Sequence, residues 1–299
     1  MANRKQKQPK KGEKKDEARF MTSLRNELEQ EMFKQQLPLG STIREESQKK
    51  VLGSFLWTGI EGLDKLLING VPKGSRILLA GGAGSGKTIA SMQMLYHHAA
   101  NGKKCVFLSF EESEDQIRGY MKSFGWDPEK LEKKGNLIIK RFSTLELNRR
   151  IDALLMKAKG ELLIDVDPIL LPKNIKPDMM VIDSLTAIDA MLGNKDNAHL
   201  LYVEQLFRFF ESINATVFLI SETEQIPKMY SRDGVNESLA DGIFVFYNVS
   251  RGNVRENAIE ILKLRGVKHQ KRIVAMQITD NGIKVYPEQE IFGDLSRVS

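Results

Sequence analysis

The stretch Arg76-Ile77-Leu78-Leu79-Ala80-Gly81-Gly82-Ala83-Gly84-Ser85-Gly86-Lys87-Thr88-Ile89 decides the fold. Ser75–Ala80 reads as an apolar strand. Gly81–Thr88 fits G-x-x-x-x-G-K-[S/T] in full. Lys87–Asn101 then reads as a helix, with Ile89, Met92, Met94 and Leu95 as its apolar positions. The order strand, glycine-rich turn, helix is what phosphate binding requires. Phosphate oxygens must be met by several backbone N–H groups at once, and glycines let the chain wrap closely because no Cβ intervenes. The helix N-terminus adds partial positive charge at the anion. Gly81, Gly82, Ala83, Gly84, Ser85, Gly86, Lys87, Thr88 and Ile89 are therefore expected to hold ATP. Lys87 is expected at the β- and γ-phosphates, and the Thr88 hydroxyl on Mg²⁺.

Downstream, strands and helices alternate. Cys105–Phe110, Leu137–Phe142, Met179–Asp183, Thr216–Ser221 and Ile243–Tyr247 read as strands. Glu112–Phe124, Leu145–Lys159 and His199–Ile213 read as helices, the second because Ile151, Leu154 and Leu155 recur at helical spacing. After these the character changes. Glu256–Leu264, Arg272–Ile278 and Gly282–Tyr286 read as strands joined by turns at Gly266 and Asp280-Asn281-Gly282. The pattern predicts an α/β fold: a mostly parallel sheet, helices on both faces, and antiparallel strands at one edge. Leu163–Lys176, which holds Pro168 and Pro172, reads as a loop.

Two acidic sites fall at strand ends. Met179-Met180-Val181-Ile182-Asp183 is an apolar run that delivers an acid, expected beside Mg²⁺ or its water shell. Glu111 and Glu112 follow the strand Cys105–Phe110, and open α/β sheets place ligands beyond the carboxyl ends of their strands. One of the pair can polarise an attacking water. Acids are also favoured where a helix starts, so the residues alone leave both readings open.

Composition bounds the rest. Of 299 residues, 41% are apolar and 28% charged, a globular balance. No run of about 18 apolar residues suggests a membrane span, and the basic, polar N-terminus does not read as a secretory signal. One cysteine, Cys105, fits a reducing cytoplasm and a buried strand position. The net charge of +6 is uneven: residues 1–50 hold 13 Lys/Arg against 8 Asp/Glu, nearly the whole excess. That segment reads as a basic, largely disordered extension. Phe20, Leu24, Leu28 and Met32 add an amphipathic stripe over 20–36. The folded body is expected from Val51 onward.

Further motifs carry a resemblance. These are Thr58-Gly59-Ile60-Glu61-Gly62-Leu63-Asp64, Phe110-Glu111-Glu112-Ser113, Ser123-Phe124-Gly125-Trp126-Asp127, Ile182-Asp183-Ser184-Leu185-Thr186, and Ile261-Leu262-Lys263-Leu264-Arg265-Gly266 with His269. With the phosphate loop, this set resembles the KaiC-like branch of the RecA/RadA ATPases, in its single-domain form, from Val51 to about Pro287. The resemblance implies a RecA-type fold and Mg²⁺-dependent ATP hydrolysis. Glu111 and Glu112 would be the catalytic acids. It also implies a homo-oligomer, a hexameric ring, with nucleotide at subunit interfaces. There Lys263 and Arg265 would act in trans, Arg265 as an arginine finger. Taken alone, the two cations alternate with apolar Ile261, Leu262 and Leu264, which suggests one shared face, and without the resemblance they read as solvated edge-strand charges.

Departures narrow the transfer. Glu237-Ser238 stands where the family's clock member carries adjacent hydroxyl residues, so a paired phosphorylation switch is not expected. Val267 replaces a residue that is often hydroxylated. Ser221 and Glu222 end a core strand where the RecA class places a polar γ-phosphate sensor. The leading expectation is a regulatory or remodelling ATPase that delivers motion to an unidentified protein partner. A nucleic-acid-binding repair accessory is the alternative. Yet the loops expected at Met191–Asn197 and Glu222–Gly234 hold only Lys195, Lys228 and Arg232 as cations, a poor phosphate-tracking groove. A nucleotide-gated scaffold with little turnover is the third reading, opposed by the intact Glu111 and Glu112.

Overall fold

The computed structural model describes residues 54–158, 171, 175–192, 196–231, 234–251 and 253–290. The N-terminal extension with its expected helix at 20–36, and most of the expected loop at 163–176, lie outside them.

A nine-stranded sheet organises the chain. Its strands are β3 (Arg76–Gly81), β4 (Cys105–Ser109), β5 (Leu137–Arg141), β6 (Met179–Asp183), β7 (Thr216–Glu222), β8 (Gly242–Arg251), β9 (Val254–Leu264), β10 (Val274–Thr279) and β11 (Gly282–Glu290). β1 (Phe55–Leu56) and β2 (Val71–Pro72) form a separate antiparallel pair. The order across the large sheet is β11-β10-β9-β8-β3-β7-β6-β4-β5. From β8 to β5 every pairing is parallel, and β9, β10 and β11 add antiparallel. β3 is central, between β7 and β8, so the phosphate loop leaves the middle of the sheet.

The inner parallel strands β3, β4, β6 and β7 are apolar along their middles because both faces are covered, whereas the edge strand β5 ends on Lys140 and Arg141. Ile77 and Leu79 of β3 pack to one side with Phe107, Val181, Phe218 and Phe244. Leu78 and Ala80 pack to the other with Leu108, Ile182, Leu219 and Val245. The first face is covered by α1 (Leu63–Leu67), α2 (Lys87–Ala100), α3 (Glu114–Ser123) and α4 (Pro128–Lys133), and the second by α5 (Thr144–Ala158), α6 (Leu185–Leu192) and α7 (Asp196–Ile213). A short helix, α8 (Val235–Leu239), lies on the crossover from β7 to β8.

The sequence motifs become local devices. Asp64 accepts from Thr58 N (2.7 Å), Thr58 Oγ1 (2.6 Å) and Gly59 N (3.1 Å), which fixes the lead-in. Trp126 of the Phe-Gly-Trp-Asp turn stacks on Phe124 (5.1 Å) and on Tyr96 of α2 (5.8 Å). Gln93 turns inward from α2 and clamps the edge strand: its Nε2 donates to Ile283 O (3.1 Å) and its Oε1 accepts from Ile283 N (2.6 Å). Cys105 is buried, and burial pushes its thiol up to about 12.

Several expectations are corrected. The helix expected from Glu112 starts at Glu114, because Ser113 caps it through a reciprocal box with Gln116. Glu111 and Glu112 are thereby left in the loop. Much of the expected Met191–Asn197 loop is helical, since α6 runs to Leu192 and α7 starts at Asp196. β8 extends well beyond Tyr247, to Arg251, by pairing with β9.

Candidate functional site

The phosphate loop forms a bare helix start. Gly86 is the N-cap of α2, in the left-handed conformation (φ +95°) that favours glycine, and it offers no side-chain cap. The first amides of α2 therefore have no intrahelical partner and remain open to an anion. Lys87 lies buried beneath them. Its Nζ donates to Gly82 O (2.7 Å) and Ser85 Oγ (3.4 Å), which folds the ammonium into the loop. Burial lowers its pKa, opposed by the charges of Glu222, Asp183 and Glu111. A buried cation beneath a ring of open N–H groups is a donor set suited to a polyphosphate.

Strand ends bring three acidic elements to the same place. Asp183, at the end of β6, accepts from Thr88 Oγ1 at 3.0 Å, so the two side chains expected at Mg²⁺ lie side by side. Burial is the main cause that raises Asp183 to about 6, with Glu111 and Glu112 adding to it; Thr88 and Lys87 pull the other way. Two hard oxygens in an acidic surrounding suit Mg²⁺. At the end of β4, Ser109 Oγ accepts from the backbone N of Glu111 (3.3 Å) and Glu112 (2.9 Å). Ser184 Oγ, next to Asp183, donates to Glu111 Oε1 at 2.8 Å. Past β6, Thr186 Oγ1 accepts from Glu222 N at 2.7 Å, tying the end of β7 to the start of α6.

Gln225, which the sequence reading passed over, also reaches the loop. Its Nε2 donates to Ala83 O at 3.1 Å, and a Cβ built on Gly82 would lie 2.6 Å from its side chain. On the other side, Asn248 of β8 lies near Gly84 O. Ile278, partly exposed on β10, reaches within 3.4 Å of a Cβ built on Gly86.

Lys263 and Arg265 lie elsewhere. β9 runs antiparallel to β8, with Gly242 opposite Leu264, whereas Phe246 is opposite Gly81 at the loop end. The cations thus emerge four strand residues, ~13 Å, from the loop end of the sheet. They share a face, as their alternation suggested. Lys263 Nζ donates to Glu237 O and Ala240 O (2.8 Å each) and Arg265 Nη2 to Ser238 O (2.9 Å), all at the C-terminal end of α8. Burial first, then Arg265, lowers the Lys263 pKa against Asp241 and Glu237. Arg265 Nη1 also lies 3.8 Å from Asp241. Ser238 Oγ donates to Gly234 O within its own helix (3.1 Å).

Comparison with known proteins places this arrangement. A family model described as "ATPase: KaiC" matches residues 56–290. The chain is 31% identical over 255 residues to a circadian clock oscillator protein KaiC of Acaryochloris marina, covering 83% of this chain and 47% of that protein. It is 30% identical to a UPF0273 protein of Aeropyrum pernix, covering 78% of this chain and 94% of that one. The chain spans about half the length of the cyanobacterial relatives and nearly all of the archaeal one. The crystal structure of a KaiC-like protein from Pyrococcus horikoshii superposes with a TM-score of 0.64 at 29% identity, over 78% of this chain and 99% of that one. Its mixed sheet, phosphate loop and family match together show that this chain belongs to the KaiC family of RecA-like ATPases.

Proposed function

We propose that the chain hydrolyses ATP with Mg²⁺ at a site shared between neighbouring copies of itself, in a hexameric ring. The observation that carries this reading is the convergence of Lys87, the Thr88–Asp183 pair and Glu111 at the ends of β3, β6 and β4. The first-turn amides of α2 and the Lys87 ammonium bind the phosphates. Thr88 and Asp183 hold Mg²⁺, which when bound neutralises charge on the phosphate oxygens. Asp183 is ionised at neutral pH and is compensated by that cation. Glu111, oriented by Ser184, positions the attacking water and receives its proton, and Glu112 stands beside it. Ile278 offers an apolar surface for the base next to Gly86. Supporting the shared site, Lys263 and Arg265 lie at the far end of the sheet from their own loop. A neighbour's nucleotide is the phosphate they can serve, with Arg265 stabilising developing charge. The motion of the assembly would act on a protein partner in the cytoplasm.

The test is steady-state ATP turnover of the wild type and of Glu111→Gln/Glu112→Gln, with native mass measured with and without ATP. The double variant should retain ATP binding and lose at least a hundredfold in turnover, and ATP should favour the oligomer. Equal turnover would remove Glu111 and Glu112 from the chemistry. A monomer under both conditions would remove the shared site.

A further inference from the structure

The crossover from β7 to β8 touches both halves of the proposed shared site within one subunit. Its first residues ride on the phosphate loop: Thr223 N donates to Gly81 O (3.0 Å), and Gln225 donates to Ala83 O while packing on Gly82. Gln225 Oε1 is buried there and has no hydrogen-bond partner among the described residues. Its last residues hold the cations: the carbonyls of Glu237, Ser238 and Ala240 accept from Lys263 and Arg265. The carboxylate of Glu237 ties the two ends together. Glu237 Oε1 accepts from Tyr230 N (2.6 Å), Ser231 N (2.9 Å) and Ser231 Oγ (3.4 Å). The side chain of Glu237 thus grips the segment that leaves the phosphate loop, while its own carbonyl grips Lys263.

We infer that Glu237 is a positioning residue through which the occupancy of a subunit's own phosphate loop sets the placement of the cations, Lys263 and Arg265, that it offers to the next subunit. The inference rests on the shared-site reading above and adds a direction to it. Phosphates entering the loop need the space that the Gln225 side chain fills against Gly82. Displacement of Gln225 moves the segment ending at Tyr230 and Ser231. Glu237 carries that shift to the end of α8, and the carbonyls that hold Lys263 and Arg265 move with it. Asn236, beside Glu237, is fully buried with neither side-chain polar atom partnered among the described residues. Buried polar groups are rarely left so, and an arrangement of α8 that satisfies Asn236 is a second state for the element to occupy.

Mixed assemblies test this. The reporter subunit is Lys263→Ala/Arg265→Ala, which keeps its own loop and acids but offers no cations. Two cation donors are mixed with it in excess: Lys87→Ala, whose own loop is empty, and Glu111→Gln/Glu112→Gln, whose own loop is filled but silent. All turnover then arises at reporter loops served by donor cations. The expected result is at least a threefold difference in turnover between the two mixtures. Adding Glu237→Ala to both donors should abolish that difference, and Glu237→Gln, which keeps an acceptor oxygen, should preserve it. Equal turnover with the two donors would overturn the coupling and leave the shared site standing. A difference that survives Glu237→Ala would also overturn it. No turnover with either donor would overturn the shared site, and the coupling with it.

Discussion

At neutral pH, Asp183→Asn should stabilise the nucleotide-free protein while weakening its hold on Mg²⁺ and ATP. The native carboxyl is raised from 3.8 to about 6, mainly by burial. The folded protein therefore binds this proton more tightly than the unfolded chain does. The sign follows: between pH 3.8 and about 6 the folded state carries more protons, so stability falls as pH rises through that window and is level above it. At 1.36 kcal/mol per pH unit, holding the ionised form costs about 3 kcal/mol as an upper figure. Asp183 retains some exposure, and solvent screens part of that cost, so about 1–2 kcal/mol is the expected gain from Asn. For a chain of this size that raises Tm by about 2–8 °C. The assay is thermal unfolding of both proteins without nucleotide between pH 4.5 and 7.5. The gap should be smallest at pH 4.5, open towards pH 6 and stay flat above. Adding Mg²⁺ and ATP should then reverse the order, since a ligand at a hundred times its Kd contributes about 2.7 kcal/mol to the protein that still binds it. A lower Tm for the variant at pH 7.5 without nucleotide, or a gap that ignores pH, would refute the reasoning.

Other perturbations follow from single contacts. Ser184→Ala removes the 2.8 Å bond to Glu111; bonds to charged groups contribute about 1.5–3 kcal/mol, so kcat should fall about 10- to 100-fold with KM little changed, and an equal change in KM would count against a role in orienting Glu111. Gln93→Ala strips both bonds from Ile283 and should cost about 1–3 kcal/mol by urea unfolding. Trp126→Ala deletes a buried ring stacked on Phe124 and Tyr96 and should cost about 3–5 kcal/mol in the same measurement.

Much of this was legible in the residues, for reasons that differ by element. The phosphate loop announces itself because its chemistry fixes four residues at set spacing within eight consecutive positions. β6 does so because burial on both faces demands an unbroken apolar run. The shared face of Lys263 and Arg265 follows from a period of two. The bulge that slips the β8–β9 register, placing Ile243 opposite Lys263 and Phe244 opposite Ile261, has no such signature. α1, with five residues, and the two-residue pair β1 and β2 are too short for a period to show. Gln93 and Gln225 were invisible for a different reason. Each is a polar side chain whose partner, Ile283 or Ala83, lies far away in sequence, and only the folded chain brings the two together.

The central strand β3 carries a consequence for how the protein is made. Its two neighbours, β7 and β8, lie far along the chain: Arg76 pairs with Val217 and Ile77 with Gly242. Closing such distant parallel pairs is slow compared with forming hairpins such as β8–β9 and β10–β11. A nascent chain on the ribosome has the whole phosphate loop outside early in synthesis, yet nothing on either flank to pin β3 in place. Translation pauses or truncations before Gly242 should therefore leave a polypeptide that contains the full motif, binds no ATP and presents an unpaired edge of β3 to chaperones. Nucleotide can assist folding only after β8 has emerged.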